Sequence, residues 1–325
     1  MGLALETRPD EVDEDEVARI RRLGATKVQL GFQSLDDRVL AANKRGHDVE
    51  TTRRAVGLLR RAGFKIHAHW MPNLLGATPG SDVADFERLF SDPALRPDEL
   101  KIYPCSLIES AELMRFFESG EWRPYAHGEL LAVLSAALER TPRYCRITRM
   151  IRDISSDDIV EGNKLTNFRE IAQRALEGRG GRCRDIRARE IRGRSFAQAD
   201  LTLRETRYAS AHGEECFLEL VTPGDEIVAF LRLSLPEPRA FIEEIAGSAL
   251  VREVHVYGAA QDLGARSGKK AQHRGMGARL LDEAARRARD AGFRDLAVIS
   301  AVGTRAYYRK QGFGDGILYQ HRRLA

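Results

Sequence analysis

Two hydrophobic periods divide the chain. In the first half, short runs with apolar residues at alternating or successive positions predict strands at Leu3–Thr7, Lys27–Gln33, Lys65–Trp70, Glu99–Tyr103 and Tyr144–Thr148. Between them, apolar residues three and four apart predict helices such as Val49–Ala62, Asp82–Phe90 and Gly128–Arg140. Repeated βα units predict a parallel sheet or barrel, with the working residues at the C-terminal strand ends. Those ends carry Glu6, Arg8, Gln33, His69, Tyr103 and Arg149. Because Gly2 to Thr7 is already a strand and a barrel usually needs more than five, an open, partial barrel or a fragment is expected.

The second half reads differently. Strand-like segments at Asp200–Tyr208, Glu215–Val221, Glu226–Leu235 and Ala249–Tyr257 follow one another, with Pro223-Gly-Asp225 as a hairpin turn. A helical run from Ala278 to Ala288 ends at Ala291-Gly292, and the strand Leu296–Ser300 leads into Gly303–Phe313. The expected division is a βα unit over 1–178, a basic linker over 179–195 and an α+β unit over 196–325.

The 325 residues carry 31% charged side chains but a net charge of only +4, so distribution matters more than the sum. Arginine crowds into Arg140–Arg152 and Arg179–Arg194, which reads either as a salt-bridged linker or as a footprint for an RNA backbone. Four scattered cysteines, no secretory leader and no long apolar run predict a reduced, cytoplasmic chain without a membrane segment. His67 and His69 share one face of a strand. A metal-hydrolase site would need further ligands at later strand ends, and Tyr103-Pro-Cys105 and Thr148-Arg149 supply none, so no metal is expected.

The strongest chemical signal is Gln272-His-Arg-Gly-Met-Gly277, which opens the helical run. Glycines there let backbone approach a ligand, and the first helical N–H groups lack intrahelical partners, which makes an anion cradle. Lys269, Lys270 and Arg274 add positive charge. A kinase-type phosphate loop would continue Gly-Lys-Ser/Thr, whereas Gly277 is followed by Ala278-Arg279. With the strand before it and Tyr307-Tyr308 after it, this segment resembles the GNAT acetyltransferases. The resemblance implies acetyl-CoA held by the backbone of Glu253, Val254, His255 and Val256, with Gln272, Arg274, Gly275, Met276, Gly277 and Ala278 at the pyrophosphate. It also implies a tyrosine that protonates the departing thiolate. Successive helical side chains point about 100° apart, so Tyr308 is expected at the coenzyme and Tyr307 in packing.

A wider resemblance covers nearly the whole chain. Glu6-Thr-Arg-Pro-Asp10, Gly31-Phe-Gln-Ser34, Asn43-Lys-Arg-Gly-His47, Ala68-His-Trp-Met-Pro72, Leu100-Lys-Ile-Tyr-Pro104, Arg152-Asp-Ile154 and Cys183–Glu190 are similar to the catalytic subunit of Elongator. That family comprises tRNA wobble-uridine carboxymethylating enzymes that join a radical-SAM barrel to a GNAT domain. The resemblance implies acyl transfer from acetyl-CoA towards carbon 5 of the uridine, with SAM and a [4Fe–4S] cluster generating the radical. It implies a tRNA anticodon stem-loop as partner, with Arg45, His47, Lys101, Arg143, Arg146 and Arg149 as RNA contacts, and self-association or other Elongator-type subunits beside it. Two departures bear on cofactors. The family's cluster-binding cysteine loop does not occur in this sequence, so radical chemistry is not expected of the chain as written. The zinc-binding Cys-x-Cys-x-x-Cys of many relatives reads Cys183, Asp185, Ala188, so no zinc is predicted. A protein or small-amine N-acetyltransferase and an RNA-binding, acetyl-CoA-sensing scaffold are the alternative functions.

Overall fold

The computed structural model describes residues 2–151, 155, 157–237, 240–257 and 275–324. Strands β1 (Leu3–Thr7), β2 (Ala25–Gln33), β3 (Lys65–Trp70), β4 (Glu99–Ile102) and β6 (Arg146–Arg149) form one sheet in that order, all parallel. Helices α1 (Glu14–Arg22), α2 (Asp37–Ala42), α3 (Val49–Arg61), α4 (Pro79–Ser91) and α6 (His127–Arg140) lie between the strands in sequence. Local chemistry sets their starts. Asp13 and Asp48 accept from the backbone N–H three residues on, both at 2.7 Å, and Thr78 and Ser81 form a capping box behind Pro79. The fifth strand begins two residues later than the pattern predicts, because Tyr144 leaves the sheet to stack on Tyr208 at 3.9 Å between ring centroids. Among the described residues β1 pairs only with β2, so its outer edge is open. Between β4 and the second domain come β5 (Leu107–Ile108), α5 (Leu113–Glu118), β7 (Ile159–Glu161) and α7 (Phe168–Gly178), with β5 and β7 paired as a small ribbon.

The second sheet orders β13 (Gly314–Asp315), β14 (Gln320–Arg323), β12 (Asp295–Val298), β11 (Ser248–Val256), β10 (Ile227–Pro236), β9 (Gly213–Val221) and β8 (Thr202–Ser210). Its pairs are antiparallel except β11 with β12. Two helices complete it, α8 (Met276–Asp290) and α9 (Arg305–Lys310). The turn Thr222–Glu226 makes the predicted β9–β10 hairpin, with Asp225 at positive φ.

This sheet is buried on both faces. One face packs Leu218, Leu231, Val251 and Leu296 against Leu280, Leu281 and Ala284 of α8. On the other face, Phe217, Phe230, Leu250 and Ile299 join Val56, Leu59, Phe64 and Ile66 of the barrel in one continuous apolar cluster. The two halves therefore share a core.

Segment 179–195 is tied down by its charges. Arg189 bonds Glu219 at 2.8 Å, Arg146 bonds Glu190 at 2.6 Å, and Arg194 bonds Glu226 at 2.5 Å. Cys183, Asp185 and Ala188 do converge, through the Asp185 carboxylate. It accepts from the Cys183 thiol at 3.0 Å, from Arg169 at 2.9 Å, and from the N–H groups of Ile147, Arg187 and Ala188. Burial, reinforced by Asp185, pushes the Cys183 thiol up to about 12, which keeps it protonated and donating. Asp185→Ala would strand these donors, so we expect it to cost about 3 kcal/mol in urea unfolding. A cost below about 1 kcal/mol would show that the carboxylate is not what fastens the segment to β6.

Candidate coenzyme site and barrel mouth

A change of phase in β11 creates the first site. Leu233 of β10 pairs with Val251 and Arg232 pairs with Glu253, so Arg252 is an extra residue on β11, a β-bulge. Before it, Ala249 and Val251 face the α8 core; after it, Val254 and Val256 do, and Arg252 and Glu253 both turn to the barrel. The parallel ladder with β12 stops at Val251, where Ile299 donates to its carbonyl at 3.3 Å. From Glu253 to Val256 the edge facing β12 has no backbone partner among the described residues, while the β10 edge stays paired. A strand that splays from its neighbour in this way offers N–H and C=O groups to an extended amide-bearing ligand.

The splay opens into a cavity of about 360 Å³ lined by Val254, Val256, Gly275, Gly277, Ala278, Thr304, Tyr307, Tyr308 and Gln311. Gly275 sits at φ +86° immediately before α8, and the first intrahelical bond is Arg279 N–H to its carbonyl at 2.8 Å. Hence the N–H groups of Met276, Gly277 and Ala278 have no intrahelical acceptor at the cavity floor. Gln272 and Arg274, expected at the same anion, lie outside the described residues, as do Lys269 and Lys270.

Both tyrosines line the cavity, but they differ in burial. Tyr308 is 7% exposed and packs edge-on against Phe313, so it carries the packing, while its ring still lines the cavity. Tyr307 is 39% exposed, and its hydroxyl lies where a Cβ on Gly277 would stand. Burial raises the pKa of Tyr308 above the ordinary phenol range, with smaller contributions from Tyr307 and Glu253, so it holds its proton firmly at neutral pH. Thr304 and Gln311 were not singled out from sequence, since nothing in the pattern of α9 marks them. The side chains of Glu253 and His255 face away from the cavity: Glu253 bonds Lys65 of the barrel at 2.6 Å, and His255 stacks on Phe230. Only their backbone is available to a ligand in the cavity.

A second polar cluster lies at the C-terminal ends of β1 and β2. Gln33 holds φ +63°, and a Cβ on Gly31 would stand 2.6 Å from the Gln33 side-chain nitrogen and 3.6 Å from Arg45. Gly31 thus leaves the space in which the amide folds back beside the guanidinium. Gln33 Oε1, Arg45 Nε and His47 Nε2 are buried without a protein partner, the signature of a site built for a polar ligand.

Several of the residues expected to meet RNA have protein partners. Arg143 bonds Glu219 at 3.0 Å and Asp225 at 2.7 Å, tying the two halves, and Arg146 is held by Glu190. The His47 side chain is fully buried and sits 3.2 Å from the Arg45 carbonyl, so it supports the barrel mouth rather than a surface. Lys101 and Arg149 pair in register on neighbouring strands, with the Lys101 ammonium 5.8 Å from the Tyr103 ring centre. Between them and the second domain the barrel interior is polar. His67 bonds Thr148 at 2.9 Å and is pushed down to about 3, first by burial, so it is neutral.

Comparison with known proteins decides the family. The chain matches the Radical SAM superfamily over residues 1–90, the Radical_SAM C-terminal domain over 97–177 and the acetyltransferase (GNAT) family over 183–313. A tRNA uridine(34) acetyltransferase of Dehalococcoides mccartyi is 39% identical over 96% of the chain and 70% of that relative. The chain belongs to the Elongator catalytic-subunit family. Elongator complex protein 3 of Danio rerio is 36% identical across 96% of the chain. The structure of the archaeal Methanocaldococcus infernus Elp3 with an N-terminal deletion superposes with a TM-score of 0.92 at 37% identity, over 99% of this chain and 78% of that one. This chain spans 58% of the Danio rerio relative and 60% of the tRNA uridine(34) acetyltransferase of Methanocaldococcus infernus. The partial radical-SAM barrel followed by a GNAT domain, expected from the motifs, is the Elongator-family architecture. Among the described residues no helix is long and apolar enough to cross a membrane.

That family implies SAM and a [4Fe–4S] cluster besides acetyl-CoA. The barrel mouth, with its unpartnered Gln33, Arg45 and His47 atoms, fits a polar ligand such as SAM. The cluster is different. The four free cysteines are scattered, three of them buried, and no three potential ligands converge among the described residues. The residues described here do not fit it.

Proposed function

We propose that this chain carries out the acetyl-CoA-dependent step of tRNA wobble-uridine modification. The observation that carries the reading is the tyrosine-lined cavity between the splayed half of β11 and the start of α8. Coenzyme amides would pair with the open edge of Glu253–Val256, and the pyrophosphate would accept from Met276, Gly277 and Ala278. As the acyl group passes from the coenzyme sulfur to its acceptor, the uridine or, without tRNA, water, the Tyr308 phenol, neutral at working pH, passes its proton to the thiolate. At the barrel mouth Gln33 and Arg45 would hold SAM, whose chemistry is to supply a hydrogen-abstracting radical when reduced. The anticodon stem-loop would approach over Lys101 and Arg149, which lie exposed or half-buried at the barrel strand ends. The open edge of β1 is where further strands, a second copy or another Elongator-type subunit would pair.

Coenzyme A release from acetyl-CoA, measured with and without tRNA, tests this. Release is expected to rise with tRNA and to fall about 100-fold in Tyr308→Phe, the scale of a lost general acid. Release to an amine acceptor with no response to tRNA would move the assignment to an N-acetyltransferase. Tight tRNA binding with no thioester cleavage would make the chain an acetyl-CoA-sensing scaffold.

A further inference from the structure

The open half of β11 is paired along one edge only, with β10, and its other edge must hold a fixed shape to pair with a coenzyme. Side-chain ties to the barrel add to that single ladder. Arg252, the bulged residue, is clamped by Asp98 of the barrel through two 2.7 Å bonds, and its Nη1 also donates to the carbonyl of Phe64 at 3.0 Å. Glu253, the first residue of the open half, is held from two sides: Lys65 of β3 donates at 2.6 Å, and Arg232 of β10 donates at 2.9 Å. Lys65 also lies 3.2 Å from Glu99, so its ammonium bridges one carboxylate of each domain. Of these ties, Asp98 and Arg252 are wholly buried and serve the fold of both halves, whereas Lys65 is at the rim with 18% of its side chain exposed.

We propose that Lys65, a barrel residue 188 positions away in sequence, is a positioning residue for the acetyl-CoA site of the other domain: by holding Glu253 it fixes the splayed segment of β11. This rests on the coenzyme reading of the cavity. The side chain touches neither the cavity nor the tyrosines, and acts through the strand backbone. The consequence is that coenzyme binding depends on the barrel's presence and geometry, although no barrel residue lines the cavity.

Calorimetric titration of the full chain with acetyl-CoA tests it. Lys65→Met is expected to weaken binding about 10-fold, the scale of a close charge pair, while Lys65→Arg stays within about 2-fold because a guanidinium can make the same bridge. Glu253→Gln, which also weakens the Arg232 bond, is expected to weaken binding at least as much, and the double variant no further than Glu253→Gln alone, since the Lys65–Glu253 pair is already lost there. In the release assay the effect falls on KM, with kcat retained. Thermal melting of the ligand-free variants separates a local effect from loss of fold. Lys65→Met binding as tightly as the unaltered chain, or additive losses in the double variant, would overturn the proposal. Absence of acetyl-CoA binding by the unaltered chain would instead overturn the coenzyme reading beneath it.

Discussion

Asp98→Ala is expected to destabilise the chain by about 3–5 kcal/mol, the scale for breaking a buried charge network by removing one partner. Asp98 is fully buried between the two halves. Its carboxylate accepts two bonds from Arg252 at 2.7 Å and the N–H of Ile66 at 2.9 Å, with Arg232 at 3.4 Å and Arg60 at 3.9 Å. Glu215 is the other fully buried carboxylate there, bonded to Arg252 at 2.7 Å. Without Asp98, three guanidiniums would share Glu215 and the outlying Glu253. Burial alone would raise the Asp98 carboxyl, but Arg252, Arg232 and Arg60 together outweigh it and hold the group well below the usual range. A depressed folded value contributes stability above the unfolded value of about 3.9, and that contribution is lost as pH falls below it. Urea midpoints for the unaltered chain and Asp98→Ala should therefore differ most near neutrality and draw together between about pH 5 and pH 2. Equal midpoints at neutral pH would mean that the apolar cluster alone joins the halves.

Gly277→Val should abolish useful acetyl-CoA binding while leaving the fold intact. Residue 277 is the second of α8, and a side chain there would occupy the position of the Tyr307 hydroxyl and reach within 3.8 Å of Val256. The tyrosine tip can swing aside, but the branched side chain would then stand between the phosphate and the amides. Two charge-assisted bonds at ~1.5–3 kcal/mol each set the scale of the loss, and about 100-fold in Kd is its lower end. Valine is a better helix former than glycine, so the melting temperature of the ligand-free protein should hold. Titration with acetyl-CoA reads the outcome. A Kd within threefold of the unaltered chain would place the coenzyme elsewhere.

Much of this arrangement is legible from local pattern because local physics dictates it. The parallel βα repeat, the hairpin at Thr222–Glu226 and the glycine-led start of α8 each follow from side-chain period and backbone freedom within a few residues. The motif set identified the family for the same reason: ligand-facing loops demand particular residues at fixed spacings. The roles of the two adjacent tyrosines were less accessible. Sequence places them about 100° apart on a helix, but which one is buried depends on Phe313 and the α8 core.

The partners of Arg143, Arg146 and His47 show where pattern reading ends. Arginine clusters look alike whether they face a phosphate backbone or a carboxylate, and the carboxylates that hold Arg143 are 76 and 82 residues away. The same is true of Arg232, Arg252, Glu215 and Glu219, charged residues on strands that the barrel covers completely. Sequence by itself determined the two fold types, their order, and the strand and helix that border the cavity, since these rest on short-range periodicity and glycine geometry. Only the tertiary structure decided that the second sheet is buried on both faces, that the bulge at Arg252 turns two successive charges into the barrel, and that Lys65 reaches Glu253. Those outcomes depend on long-range docking, which sets the dielectric around a charge and selects its partner.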